Sequence, residues 1–198
     1  MWRILRCQPG AVIALGFTEP IPADRMRSAA LSGEIERLLR WVQVSPGETY
    51  FIPAGTVHAI GAGITICEIQ QNSDITYRLY DYGRPRELHL DAGVAASNPD
   101  SWWHPGPSAE KELPGGWKRL AGCRHFATDA LQLEGGMEYD PDPTRLELLI
   151  CAEGEGRLNS EESAAGDVWL LPPGTGRVGL STAGAMSLLR TYVPSANS

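Results

Sequence analysis

The sequence predicts an all-β protein built from two jelly-roll-like barrels with a small helical insertion. Three observations carry this expectation: strand-like runs broken at short intervals by turns, 22 Gly and 15 Pro spread along 198 residues, and one strand–turn–strand motif that occurs once in each half. Abundant, dispersed glycine and proline suit many short strands joined by tight turns. The repeated motif relates Gly47 to Gly166, Pro53 to Pro172, Gly55 to Gly174 and Thr56 to Thr175, each pair 119 positions apart. The residues between match in kind, Glu-Thr-Tyr-Phe-Ile against Asp-Val-Trp-Leu-Leu. A fixed offset of this sort predicts two related barrels.

Met1–Leu5 and Ala11–Phe17 read as strands about a Pro9-Gly10 turn. Pro20 and Pro22 then lead into a helical stretch at about 23–42, with Met26, Ala29, Ala30, Ile35, Leu38, Leu39 and Val42 at roughly helical spacing. Gly33 is expected to divide it. Strand character returns in Tyr50–Ile52, Val57–Ile60, Ile64–Gln70 and Thr76–Tyr82. Glu87–Ser97 reads as a short helix. The expected organisation is a first barrel over 1–97, a Pro-, Gly- and Trp-rich connector over 98–116, and a second barrel over 117–198.

Composition excludes several functions. A formal charge of −7 with no basic cluster speaks against nucleic acid as a partner. It does not exclude an anionic small substrate, because a pocket sets its own local field. The longest apolar run falls far below the roughly 18 residues of a membrane span, so no membrane association is expected. The start, Met1 to Cys7, lacks the features of a signal peptide. Cys7, Cys67, Cys123 and Cys151 are widely spaced without a Cys-x-x-Cys pair, which reads as unpaired thiols in a reducing cytoplasm.

The chemistry centres on the first copy of the motif, Gly47-x5-Pro53-x-Gly55-x2-His58. A strand, a Pro-x-Gly turn and a histidine opening the next strand direct one imidazole at a barrel mouth. The plain alternative is a lone histidine satisfying a core hydrogen bond. At the same position the second copy carries Arg177, which cannot lose its proton near neutral pH and cannot ligate a metal. The second barrel is therefore expected to be structural. His89, His104 and His125 lack ligand spacing to any other donor and read as non-catalytic.

The Gly-x5-Pro-x-Gly-x2-His pattern resembles the second signature of the cupin barrels, which implies a double-cupin fold. Downstream, His58-Ala59-Ile60-Gly61-Ala62-Gly63 and the run from Glu68 through Gln70-Gln71-Asn72-Ser73-Asp74-Ile75-Thr76-Tyr77-Arg78-Leu79-Tyr80-Asp81 to Arg84 closely resemble the type I, zinc-dependent bacterial mannose-6-phosphate isomerases. The resemblance is close to about Leu90 and weaker through the second barrel. It implies an aldose–ketose isomerase that interconverts mannose 6-phosphate and fructose 6-phosphate through an enediol. It also implies His58 as a zinc ligand, Arg78 as an active-site residue and a phosphosugar as the small-molecule partner.

If 76–82 is a strand, period two puts Thr76, Arg78, Tyr80 and Tyr82 on one face. A permanent cation there can hold a phosphate or an enediolate oxygen. The plain alternative is an ion pair of Arg78 with Asp74 or Asp81. Glu68, Gln70 and Asn72 alternate likewise and suit either pocket lining or barrel hydrogen bonds. No residue presents itself as the proton-transfer base.

The resemblance departs at the start. The family takes its other zinc donors from a Gln-x-His step and a Glu before Met-Trp-x-Ile/Leu, and this chain begins at Met1-Trp2-Arg3-Ile4-Leu5. The remaining ligands are therefore expected upstream of Met1, the first barrel is expected to be N-terminally truncated, and residues 1–198 are expected to turn over weakly or not at all. An open sheet edge there would invite self-association. The alternative function is a non-catalytic sugar-phosphate-binding or regulatory cupin. A cupin of other chemistry, such as a dioxygenase, is disfavoured by the run from Gln70 to Asp81.

Overall fold

The computed structural model of the protein describes residues 1–73, 76–100 and 107–195. Asp74, His104 and part of the expected 98–116 connector lie outside the described residues. The fold is all-β with a small helical component and forms two compact units. One holds Trp2–Ile66 and Asn72–Pro107; the other holds Met1, Cys67–Gln71 and Ser108–Ser198.

The first unit contains β1 (Trp2–Cys7), β2 (Val12–Phe17), α1 (Ala23–Ser32), α2 (Ile35–Leu38), β3 (Leu39–Gln43), β4 (Thr49–Tyr50), β5 (His58–Ile60), most of β6 (Ile64–Glu68) and α3 (Leu90–Ala96). Two three-stranded sheets result, in the orders β4-β1-β6 and β3-β2-β5. Alternation along the strands assigns their faces. Trp2 and Ile4 of β1, Ile13 and Leu15 of β2 and Tyr50 of β4 share one apolar cluster, with Ile64 and Ile66 packed against it. The opposite face of β2 gives Ala14 and Phe17 to a second cluster with Met26, Ala29 and Ala30 of α1. Those three lie at helical i, i+3, i+4 spacing and form the buried stripe of an amphipathic helix.

α1 ends at Gly33, whose φ of 79° is the left-handed cap that favours glycine. A β-carbon there would also stand 2.9 Å from the Tyr80 hydroxyl. The helical stretch expected to reach residue 42 instead stops at Leu38, and Leu39 turns extended with ψ 145°. The sheet wins because β2 offers a ladder, pairing Ile13 with Val42 and Ala14 with Trp41. Helical spacing and strand alternation were both open to the apolar pairs in Leu38–Val42, and backbone pairing decides between them.

The expected strand at 76–82 is also absent: the segment is irregular. Leu79 is buried in the α1 cluster and the adjacent Tyr80 packs against it too, so consecutive side chains face one way and a pleat is impossible. Tyr82 then takes a left-handed φ of 54° and Gly83 one of 73°, closing a turn in which the Arg84 N–H donates to the Asp81 carbonyl at 2.9 Å. Thr76, Arg78, Tyr80 and Tyr82 thus do not share a strand face.

The second unit contains β7 (Lys111–Glu112), a 3-10 turn (Pro114–Gly116), β8 (Lys118–Gly122), β9 (Ala127–Tyr139), β10 (Glu147–Glu153), β11 (Glu155–Leu158), β12 (Glu161–Ala164), β13 (Val168–Leu171) and β14 (Val178–Tyr192). The sheet runs β12-β11-β14-β9-β8-β7, and β10 pairs with both β13 and β14. β14 and β9 pair along nearly their whole lengths, from Val178 opposite Tyr139 to Tyr192 opposite Ala127. The interior is filled by large side chains, among them Trp117, Leu131, Tyr139, Leu149, Met186 and Leu188.

The internal repeat holds at the level of single hydrogen bonds. In the first unit the Gly47 N–H donates to the Ile4 carbonyl, and the Ile4 N–H to the Glu48 carbonyl; in the second, Gly166 and Asp167 make the same pair with Cys151. The Glu48 carboxylate accepts from the Ser45 N–H at 2.8 Å and the Asp167 carboxylate from the Ala164 N–H at 2.8 Å. The Thr56 N–H reaches the Pro53 carbonyl at 3.2 Å and that of Thr175 the Pro172 carbonyl at 3.0 Å. Gly55 and Gly174 have φ of 82° and 81°. The two turns are one structure used twice.

Candidate functional site

His58 opens β5 opposite Leu15 of β2. Facing residues of an antiparallel pair share a sheet face, and Leu15 belongs to the cluster that Trp2 and Tyr50 also enter. The imidazole therefore lies on the inner face of its sheet, and its ring meets Trp2 edge-on at 5.2 Å between centroids. The residue is nonetheless solvent-exposed, so the ring stands at a rim that water reaches. Its Nδ1 is 2.7 Å from the Thr56 carbonyl. A carbonyl only accepts, so Nδ1 carries the proton and the Nε2 lone pair is left available as base or metal donor. That is the arrangement in which a backbone oxygen orients a ligating imidazole.

The turn that presents His58 is braced from beneath. Tyr50 donates to the Glu48 carboxylate at 2.8 Å. Burial, reinforced by that carboxylate, pushes the Tyr50 phenol well above its ordinary range. The neighbours of His58 point to the other side: Val57 and Ala59 pack against the α1 cluster, which also takes Leu79 and Tyr80. The strand carrying His58 and the segment following Arg78 are thus anchored in one core.

Arg78 itself is held by its backbone. Its N–H donates to His89 Nδ1 at 3.2 Å, and the His89 N–H returns a bond to the Arg78 carbonyl at 2.8 Å. His89 therefore keeps its proton on Nε2, and it also precedes α3 at the N-cap position. The Arg78 guanidinium reaches the Glu87 carbonyl at 3.4 Å, and its partners among the described residues include neither His58 nor Asp81. The ion pair expected with Asp81 does not form, because Asp81 is taken by Arg84 and Arg86. His125 accepts from Arg124 at 2.9 Å on the surface of the second unit.

At the position that corresponds to His58, the Arg177 guanidinium donates to Asp140 at 2.9 Å. A catalytic zinc takes three protein ligands and one open position. Among the described residues no three His, Cys, Asp or Glu side chains come together as a metal site. His58 suits one such ligand, but the residues present do not make up the set.

Sequence reasoning overlooked the loop after Arg78. Asp81, only 5% exposed, accepts from Arg84 Nη2 at 2.6 Å, from Arg86 Nη2 at 2.7 Å and from Arg86 Nε. The Arg86 bonds, more than the charges of Arg84 and Arg86, hold its carboxyl below the usual carboxylate range, against the opposing effect of desolvation. The signal was present as Arg84-Pro85-Arg86 after a glycine turn, but a strand reading of 76–82 concealed it.

These features define a two-part β protein in which the first unit offers the motif imidazole at a rim, with a cation-rich loop anchored in the same core. No family model matches the chain. It is 37% identical over 189 residues to the mannose-6-phosphate isomerase ManA of Bacillus subtilis, covering 88% of this chain and 58% of that protein. The crystal structure of the mannose 6-phosphate isomerase from Bacillus subtilis matches at TM-score 0.82 and 30% identity, over 96% of this chain and 63% of the other. The enzyme of Salmonella typhimurium, solved bound to its substrate and a zinc atom, shares the fold at TM-score 0.70 and 17% identity, over 98% of this chain and 66% of that one. The chain is similar to these mannose-6-phosphate isomerases, and it spans 58% of the length of ManA.

Proposed function

We propose that the protein is an aldose–ketose isomerase of the mannose-6-phosphate class, of cupin architecture, acting on mannose 6-phosphate and fructose 6-phosphate. The observation that carries this reading is sequence identity of 37% to ManA across 88% of the chain, together with a correctly oriented imidazole at the motif histidine. The reaction moves one proton between C1 and C2 of the open-chain sugar through an enediol, while negative charge develops on the carbonyl oxygen. In this reading His58 would serve as one zinc donor at the rim of the first unit, since its Thr56 bond fixes the ring in the tautomer with Nε2 unprotonated, and the metal would polarise that oxygen as a Lewis acid. Arg78 offers a permanent positive charge that needs no proton exchange. Zinc is the ion to supply in assays, since the Salmonella structure holds it. The donors present do not complete a site for it. Four free cysteines support a reducing, cytoplasmic setting, and among the described residues no helix is long and apolar enough to cross a membrane.

The test is conversion of mannose 6-phosphate to fructose 6-phosphate by the purified protein with added zinc, followed in a coupled assay and by loss of a C2 deuterium label. Slow, phosphate-sugar-specific turnover is the expected result. Absence of both turnover and selective binding of mannose 6-phosphate over mannose would overturn the proposal.

A further inference from the structure

We propose that the second unit carries a binding site for a small carboxylate, formed where Arg119 and Arg190 meet on Asp129. The inference is independent of the isomerase reading, and none of its residues belongs to the first unit.

The site is built from cross-strand neighbours on the inner face of one sheet. Asp129 of β9 stands opposite Arg119 of β8 and opposite Arg190 of β14. Asp129 is fully buried, yet water reaches both guanidiniums, whose side chains are 32% and 16% exposed. The carboxylate accepts from Arg119 Nε and, at 2.8 Å, from Arg190 Nε. The Tyr192 hydroxyl closes the group, accepting from Arg119 Nη2 at 2.6 Å and donating to Asp129 at 3.3 Å. Arg190 Nη1 faces the Tyr139 hydroxyl at 3.5 Å. One terminal nitrogen on each fork, Nη1 of Arg119 and Nη2 of Arg190, has no acceptor among the described residues.

Charge, rigidity and room all favour an anion there. Two guanidiniums share Asp129, which leaves one positive charge. On the neighbouring side Arg145 is already matched by buried Glu147 at 2.9 Å and by Asp142 at 3.5 Å. A single negative charge balances the surplus, and the additional carboxylate of Asp142 disfavours a dianion. Arg190 lies over the Trp117 ring at 4.4 Å, and Arg119 and Arg190 both approach the Tyr192 ring, at 5.8 and 5.9 Å from its centre. Forks held by a buried acid and by ring faces lose little entropy on binding. Gly122 supplies the room: a β-carbon there would lie 3.1 Å from Arg119 Nη1. The two oxygens of a carboxylate suit a pair of guanidinium donors.

The internal repeat places the site. Matching backbone bonds set Cys151 in the position of Ile4, so Leu149 takes the place of Trp2, the ring that meets His58 in the first unit. Leu149 stands opposite Arg190, and Glu147 stands opposite Leu171, beside the Pro172 corner. The arginine pair therefore lies on the side of the second unit that corresponds to the rim bearing His58 in the first.

The experiment titrates the whole protein with sodium acetate, and with sodium phosphate and sodium chloride at matched ionic strength, following the Arg119 and Arg190 Nε–H resonances by NMR. Acetate is expected to shift both signals saturably, with a Kd of about 1–10 mM, and the other two salts are not. Arg119→Lys, which keeps charge but not the fork, and Gly122→Ala, which keeps every charge but crowds Nη1, are each expected to weaken acetate about tenfold. Acetate that leaves both signals unmoved up to about 50 mM, beyond the millimolar range of weak specific binding, overturns the proposal and makes the network purely structural; the wild-type titration decides this even if a variant does not fold. Phosphate or chloride that shifts both signals as strongly as acetate overturns it as well, and so do variants that bind acetate as tightly as wild type.

Discussion

Replacing Asp129 by alanine removes the centre of a buried charge network in the second unit. Asp129 is fully buried and accepts from Arg119 Nε and, at 2.8 Å, from Arg190 Nε. The side chain of Arg190 is 16% exposed and that of Arg119 is 32% exposed, so the variant strands one nearly buried cation and one partly wet one. Breaking a buried ion pair from one side costs about 3–5 kcal/mol, most of it the uncompensated charge left behind. The lower end applies here. Arg119 keeps the Tyr192 hydroxyl at 2.6 Å, and Arg190 keeps its place over the Trp117 ring at 4.4 Å.

A loss of about 3 kcal/mol with an m-value near 2 kcal/mol/M moves the urea midpoint down by about 1.5 M. Tryptophan fluorescence reports it, since Trp117 is buried beneath Arg190. Asp129→Asn keeps one acceptor but turns an amide N–H₂ toward a guanidinium, and about 2 kcal/mol is expected. The decisive variant is the double replacement Asp129→Leu with Arg190→Met, which removes both charges and should recover much of the loss. A midpoint shift below about 0.5 M for Asp129→Ala, or a double variant as unstable as the sum of its singles, would refute the reasoning.

Three further outcomes are expected. Asp81 has a lowered folded-state pKa, so its contribution to stability is present above its ordinary value of 3.8 and fades as pH falls through the lower folded value; acid titration of Asp81→Asn should show a shallower loss below pH 4 than wild type. Arg78→Ala is expected to lower kcat for mannose 6-phosphate by about 10²–10³-fold, with His58→Ala at background, and both should keep wild-type circular dichroism. Gly61→Ala should destabilise the protein by about 1–3 kcal/mol in thermal unfolding, because a β-carbon at that glycine would lie 2.4 Å from the Val12 carbonyl oxygen.

The fold class and the repeat were legible because they depend on local rules. Gly55 and Gly174 need positive φ, Pro53 and Pro172 need a fixed one, and those demands are written in residue type. The tautomer of His58 was not legible, since it depends on a carbonyl two residues back in a turn of defined shape. Leu39–Val42 misled because short apolar runs satisfy both periods, and only pairing with β2 separates them. Thr76–Tyr82 misled for a different reason: β-branched and aromatic residues mark a strand when a sheet edge is there to receive it, and here Asp81 draws Arg84 and Arg86 into a turn instead. The Asp129 network could not have been read at all, as its partners come from positions 119, 190 and 192.

The divergence of the two units explains why chemistry is assigned to only one of them. Both build the same Pro-x-Gly corner with the same backbone bonds, so the corner serves folding wherever it occurs. What differs is the residue it delivers. In the first unit the corner presents an imidazole whose Nε2 holds an open lone pair beside the edge of Trp2. In the second it presents Arg177, a guanidinium without a lone pair to offer, already paired to Asp140. The interiors agree with this division. The second unit is filled by Trp117, Tyr139 and aliphatic side chains. In the proposed isomerase reading, the scaffold motif occurs twice, and only the first copy presents an imidazole able to ligate, His58.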